Sequence, residues 1–229
     1  MARILFTAVV ADMRGKLAGS VFSKNRSGSY VRTKVTPVNP QTVYQLEARN
    51  RVTQLSQGWR ALTDAQRVAW NAAVSSFQGT NIFGNTVSPS GLNLYVKLNS
   101  NLLEAAIAVI TEPPLPQEVA AIESMVAAAT AAIPDFSIAF LPKPVPADHS
   151  MVVRVTPQFS PGITFMKNKL RNLVVLAAAT ASPYNALALY NARFGALVAG
   201  QKIGVEVMLI NTVSGQKSSP FRQVFIVGA

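Results

Sequence analysis

Two spacings of apolar residues divide the chain. Between residues 41 and 112 they recur at three- and four-residue intervals, the period of a helix, and beyond residue 117 they alternate, the period of a strand. Residues 1–40 read as extended. There, residues 21–24 and 30–35 are β-prone and flank the polar, Gly-containing run 25–29, which predicts a β-hairpin. An isolated hairpin is marginal in water. The segment carrying Lys16, Lys24, Arg26, Tyr30, Arg32 and Lys34 is therefore expected to be an arm that orders against a partner. The opening, residues 1–12, has one basic residue, a short apolar stretch and no clear cleavage region, and reads as a strand rather than a signal peptide.

The helical part begins after Thr36-Pro37-Val38-Asn39-Pro40, with Asn39 expected as N-cap and Pro40 in the first turn. Tyr44, Ala48, Val52, Leu55, Trp59 and Leu62 form one stripe, predicting a helix over about 40–61. Thr63-Asp64-Ala65-Gln66 has the pattern of a capping box. It opens a second helix that runs to about Phe77, with Ala69, Trp70, Ala73 and Phe77 inward. The tight connection predicts a helical hairpin with Trp59 and Trp70 in its core. A third helix is expected from Ser90 or Gly91, with Gly91, Tyr95, Leu98 and Leu102 on one face. It should fade before Glu112-Pro113-Pro114-Leu115-Pro116, the expected domain boundary.

Beyond the prolines, Phe136, Ile138 and Phe140 alternate, as do Met151, Val153 and Val155, and then Ile203, Val205, Val207 and Leu209. Residues 173–176 and 221–227 add two more strands, and the Ala-rich segment 119–132 is read as another. Residues 184–194 read as a helical insert. Six or seven short strands in about 110 residues, separated by Pro and Gly clusters, predict a β-sandwich.

Composition changes this picture in one respect. Hydrophobic residues make up 49% and charged residues only 14%, too few charges to wet a monomer's whole surface, so a face against a partner is expected. The net charge of +11 is concentrated early: residues 1–100 hold 12 Lys and Arg against 3 Asp and Glu. Such a basic segment can meet nucleic acid, a membrane or acidic protein. Arg49, Arg51, Arg60 and Arg67 are separated on their helices, and Tyr30 is a lone aromatic rather than a stacking platform. An acidic protein surface is the favoured partner. No apolar run of about 18 residues is present, so no membrane span is expected.

Candidate chemistry is sparse. The chain has no cysteine, which excludes disulfides and thiolate metal sites. The single histidine, His149, sits beside Asp148 in a Pro-rich turn and reads as solvated. The ten carboxylates are scattered; Glu118 and Glu123 are spaced for different helix faces, and no phosphate-binding glycine loop occurs. No catalytic residue, metal ligand or cofactor is expected, and the chain reads as non-enzymatic.

Two sets of motifs resemble known families. The first joins Arg14-Gly-Lys-Leu-Ala-Gly-Ser-Val-Phe-Ser-Lys24, Asn25-Arg-Ser-Gly-Ser-Tyr-Val-Arg-Thr-Lys34 and Val35-Thr-Pro-Val-Asn-Pro-Gln-Thr42 to Trp59-Arg-Ala-Leu-Thr-Asp-Ala-Gln-Arg-Val-Ala-Trp-Asn-Ala-Ala73, Phe83-Gly-Asn85 and Ser88-Pro-Ser-Gly-Leu-Asn-Leu-Tyr95. Over residues 12–98 these resemble a family of small proteins encoded in tailed-phage and prophage genomes and regarded as virion components. The second set, residues 200–211, 214–221 and 224–227, is similar to the last two strands of an immunoglobulin or fibronectin type III sandwich, although both tryptophans lie in the helical part.

The expected fold is α+β: an extended basic arm with a β-hairpin over 1–40, a helical region over 41–112 and an Ig-like β-sandwich over 117–229. The phage resemblance implies a virion structural protein assembled in the host cytoplasm, in many copies or as a homo-oligomer. Its favoured role is a capsid auxiliary or decoration protein that binds neighbouring subunits, above all the major capsid protein, through its N-terminal region. The alternatives are a head–tail connector or tail component, a DNA-binding or packaging accessory protein, and a glycan-binding adhesin.

Overall fold

A computed structural model describes the chain except for residues 1, 4–9, 11, 26–27, 81–85, 118 and 120. It is an α+β protein whose contacts group into two units, residues 1–46 and 47–229.

The first unit is a four-stranded antiparallel sheet: β1 (Ala2–Arg3), β2 (Gly15–Leu17), β3 (Ser20–Asn25) and β4 (Gly28–Thr33), in the order β1-β4-β3-β2. The expected hairpin is β3–β4, and its turn residues Arg26 and Ser27 lie outside the described residues. Ala18, at φ 47°, and Gly19 turn the chain from β2 into β3, and the Lys34 amide donates to the Gly19 carbonyl at 2.8 Å. No described residue of this unit is buried.

The first helix, α1 (Val43–Ala61), starts later than expected. Gln41 takes φ 46°, a left-handed step that an α-helix excludes. Thr42, not Asn39, supplies the cap, its Oγ1 accepting from the Gln45 amide at 3.4 Å. The expected apolar stripe is only half used. Tyr44 and Val52 remain 51% and 54% exposed, whereas Leu55 and Leu62 are buried. The capping box of α2 (Asp64–Ala73) is present in both directions, and a 3-10 turn, Val74–Phe77, follows.

The short pair β5 (Gly79–Thr80) and β6 (Thr86–Val87) leads to α3 (Gly91–Glu104), capped by Ser90 as expected. Tyr95 on α3 lies between the two tryptophans, 5.3 Å from Trp70 in a T-shaped contact and 5.5 Å from Trp59. Trp70 is fully buried and Trp59 half-buried, so the core is a three-helix cluster centred on Tyr95 rather than a Trp pair between two helices. Gly58 permits this approach, since a Cβ there would sit 2.7 Å from the tyrosine oxygen. The segment after α3 is tied back over the helices. Asn99 accepts from the Ile110 amide at 2.7 Å and donates to its carbonyl at 3.1 Å, and Trp70 Nε1 donates to the Thr111 carbonyl at 2.8 Å.

The strands beyond residue 117 are β7 (Ser124–Thr130), β8 (Asp135–Leu141), β9 (His149–Val155), β10 (Arg171–Leu176), β11 (Tyr184–Asn185), β12 (Lys202–Asn211) and β13 (Phe221–Ile226), with α4 (Leu187–Phe194) between β11 and β12. They form two sheets, β11-β8-β7 and β10-β9-β12-β13. Period-two alternation points Met125, Ala127, Phe136 and Ile138 of one sheet, and Met151, Val153, Val205 and Val207 of the other, into one shared core. The Ala-rich segment is a strand, as expected. The helical insert is also present, although its first two residues pair with β8 as β11.

Beside β7, its Ala127 amide donates to Gln223 Oε1 at 2.7 Å, and Gly228 pairs with Ala129 and Ala131. The Pro113–Pro116 run, expected as a boundary, lies inside the second unit, where the end of α3 packs on the four-stranded sheet through Ala105, Val152, Met208 and Ile210.

Candidate functional site: the N-terminal sheet and an ionic row

Register decides which of the candidate arm residues share a surface. Residues paired across an antiparallel ladder point to the same side, and neighbours along a strand to opposite sides. Lys16 pairs with Val21, Val21 with Arg32, and Ser23 with Tyr30. Lys16, Tyr30 and Arg32 therefore share one face. The opposite face carries Leu17, Phe22, Val31 and Lys24. Lys34 follows the end of β4, and Arg26 is not among the described residues.

Lys16, Lys24, Arg32 and Lys34 are exposed and have no ion-pair partner among the described residues, and Lys16 and Arg32 share the face of a half-buried Tyr30. Asp12, the acidic residue of this segment, is paired with Arg14 at 3.0 Å. One face thus offers cations around an aromatic ring. The other offers apolar side chains, with Leu17 62% exposed. Among the described residues of this unit, none is buried beneath either face.

A second constellation sits in the other unit and carries no sequence motif. In the four-stranded sheet, Asn172, Arg154, Glu206 and Arg222 stand in one cross-strand row over β10, β9, β12 and β13. All four are on the outer face, the inward positions being apolar. Glu206, 3% exposed, accepts from Arg154 at 3.2 Å and from Arg222 Nε. Arg154 Nε also donates to Asn172 Oδ1 at 2.8 Å. Above the row lies Glu104, the last residue of α3. It accepts from Arg154, from Lys217 and, at 3.0 Å, from Asn172.

Burial alone would raise the Glu104 carboxyl. Hydrogen bonds from Lys217 and Arg154, and their charges, outweigh burial and hold it at about 2 against an ordinary 4.5. Burial likewise works against the Arg154 charge, and its bonds to Glu104 and Glu206 overcome it, raising its pKa. This row fastens the helices to the strands.

The remaining candidates are structural in placement. Trp59 and Trp70 lie in the helical cluster. His149 begins β9 rather than lying in a turn, with Nδ1 2.8 Å from the Ala147 carbonyl oxygen. Glu123 is exposed, and Glu118 is outside the described residues. Among the described residues, no group of three or more His, Cys, Asp or Glu is placed to hold a metal ion, and no helix is long and apolar enough to cross a membrane. Comparisons with models of known families, with curated proteins and with solved structures returned no match.

Proposed function

We propose that the chain is a non-enzymatic structural component of a larger assembly, a tailed-phage virion, attached through the N-terminal sheet to neighbouring protein subunits. One observation carries this reading: no described residue of the first unit is buried, although the unit is a four-stranded sheet with an apolar face and a basic face. A sheet whose described residues are at most half-buried has little to offset the entropy of ordering it. Contact with a partner supplies the missing burial. The basic face, with Lys16, Tyr30 and Arg32, suits an acidic protein surface, and the major capsid protein is the proposed neighbour.

The strand orders support an immunoglobulin- or fibronectin type III-like sandwich for the second unit. Of its seven strands beyond residue 117, β7, β8 and β11 form one sheet, and β9, β10, β12 and β13 form the other. In the proposed arrangement this sandwich is the projecting or cementing part of a capsid auxiliary protein. A head–tail connector or tail protein would use the same two parts.

The test is incorporation into particles. Lys16→Glu with Arg32→Glu, both exposed, should leave the folded protein soluble but remove it from purified particles. Undiminished incorporation of the double variant would refute attachment through this face. A second reading, a DNA-binding or packaging accessory, is favoured by the grouping of two cations with Tyr30 on one face. Filter binding across salt separates the two, because phosphate contacts give steep salt dependence. Absence of retention at low salt rules the second reading out.

A further inference from the structure

The outer face of the four-stranded sheet is laid out in three zones along the strands. At one end Val152, Met208 and Ile210 are apolar and are covered by Ala105 and Ile107, just beyond α3. The ionic row is the middle zone. At the other end lies a groove of about 310 Å³, lined by Thr156, Gly204, Val224, Phe165, Met166 and Leu170 among others. Among the described residues no α-helix covers this zone, and its apolar rim is open: Phe165 is 67% exposed, Val224 51% and the adjacent Ile226 56%.

The groove is held in shape by the chain itself. Lys202 Nζ donates to the carbonyls of Pro161 at 2.7 Å and Ile163 at 3.1 Å, bracing the loop that carries Phe165. The Lys169 amide donates to the Met166 carbonyl at 2.9 Å. Gly204 keeps the groove open, since a Cβ there would occupy the space beside Thr156 Cγ2 and Met166 Cε.

Charge selects the occupant. Lys167 and Arg222 both line the groove. Lys167 has no hydrogen-bond or ion-pair partner among the described residues, and Arg222 is bonded through Nε to Glu206, with its side chain 44% exposed. Glu206 is already shared between two arginines. At the covered end the chain shows what fits such a face: a carboxylate, Glu104, on Arg154, followed by apolar Ala105 and Ile107 on the apolar patch.

We propose that the groove is a docking site for a segment of another protein that presents an apolar side chain beside a carboxylate, the side chain entering the groove and the carboxylate meeting Lys167 and Arg222. This site is separate from the N-terminal sheet, and its test does not depend on that sheet's role.

The probe is a fluorescent peptide with phenylalanine between two aspartates, titrated with the full chain by anisotropy. A lysine-flanked peptide serves as comparison. Saturable binding of the acidic peptide at or below about 1 mM is expected, weakening as salt rises. Lys167→Glu should weaken it by about fivefold or more, and Val224→Trp, which fills the groove, should abolish it. Lys167→Glu alters an exposed side chain, so it keeps the test readable if Val224→Trp does not fold. No saturable binding, equal binding of the lysine-flanked peptide, or an affinity unchanged in Lys167→Glu would each overturn the proposal.

Discussion

Glu104→Gln removes one negative charge from the ionic row and keeps the side chain's shape. In the native protein the Glu104 carboxylate accepts from Arg154, Lys217 and Asn172 while its side chain is only 6% exposed. A carboxyl that moves from 4.5 in the unfolded chain to about 2 on folding stabilises the native state by about 3 kcal/mol at neutral pH. Breaking a buried pair by removing one partner costs about 3–5 kcal/mol, because the cations left behind are desolvated without compensation. The two routes agree on about 3 kcal/mol.

The sign with pH follows from the depressed pKa. The contribution is complete above about 4.5 and is lost as pH falls through about 2, where the wild-type carboxyl is itself protonated. Urea unfolding of wild type and variant at pH 7 and again near pH 2.5 measures this, with equal m-values showing that the same surface is exposed. A gap of about 3 kcal/mol at pH 7 that shrinks in acid is expected. A gap below about 1 kcal/mol at pH 7, or one that stays constant with pH, would show that the carboxylate is not held as described.

Trp70→Ala should cost about 3–5 kcal/mol in the same assay, because the ring is fully buried and its Nε1 is bonded. Trp59→Ala, half-buried against Tyr95, should cost about half as much, and an equal cost would contradict the placement of Tyr95 at the centre. Gly215→Ala should destabilise by about 2 kcal/mol or more: φ is +70°, and a Cβ would lie 2.5 Å from the Leu98 carbonyl oxygen. A neutral substitution there would argue against the contact between α3 and this turn. Amides of residues 15–33 should exchange quickly with deuterium in the dilute protein and become protected in assembled particles, whereas slow exchange in the dilute protein would show that the sheet is stable unaided.

Much of the fold was legible because local chemistry agreed with tertiary context. Thr63 with Gln66, and Ser90 before Gly91, marked helix starts that the backbone uses. Alternation in β8, β9 and β12 matched their inward faces. Asn39-Pro40 was persuasive as a helix start, yet the left-handed backbone at Gln41 moved the cap to Thr42, and no pattern of side chains announces such a step. The stripe on α1 predicted burial along its whole length, but periodicity reports amphipathicity and does not say where the neighbouring helix ends.

The ionic row was hidden for a different reason. Glu206 occupies a polar position in an alternating strand, whose ordinary reading is solvent, and its partners come from elements far apart in sequence. Only the pairing register aligns them. The arm's division into a basic and an apolar face likewise depends on register, which sets Lys16 and Arg32 with Tyr30 and leaves Lys24 opposite.

The most direct test of the proposed role is electron cryo-microscopy of the proposed particles, purified from cells that make the chain. Density for the second unit is expected at many symmetry-related positions on the capsid, with residues 15–33 packed against a neighbouring subunit. Particles that lack the protein altogether, or that hold it with residues 15–33 facing solvent, would contradict the proposed role.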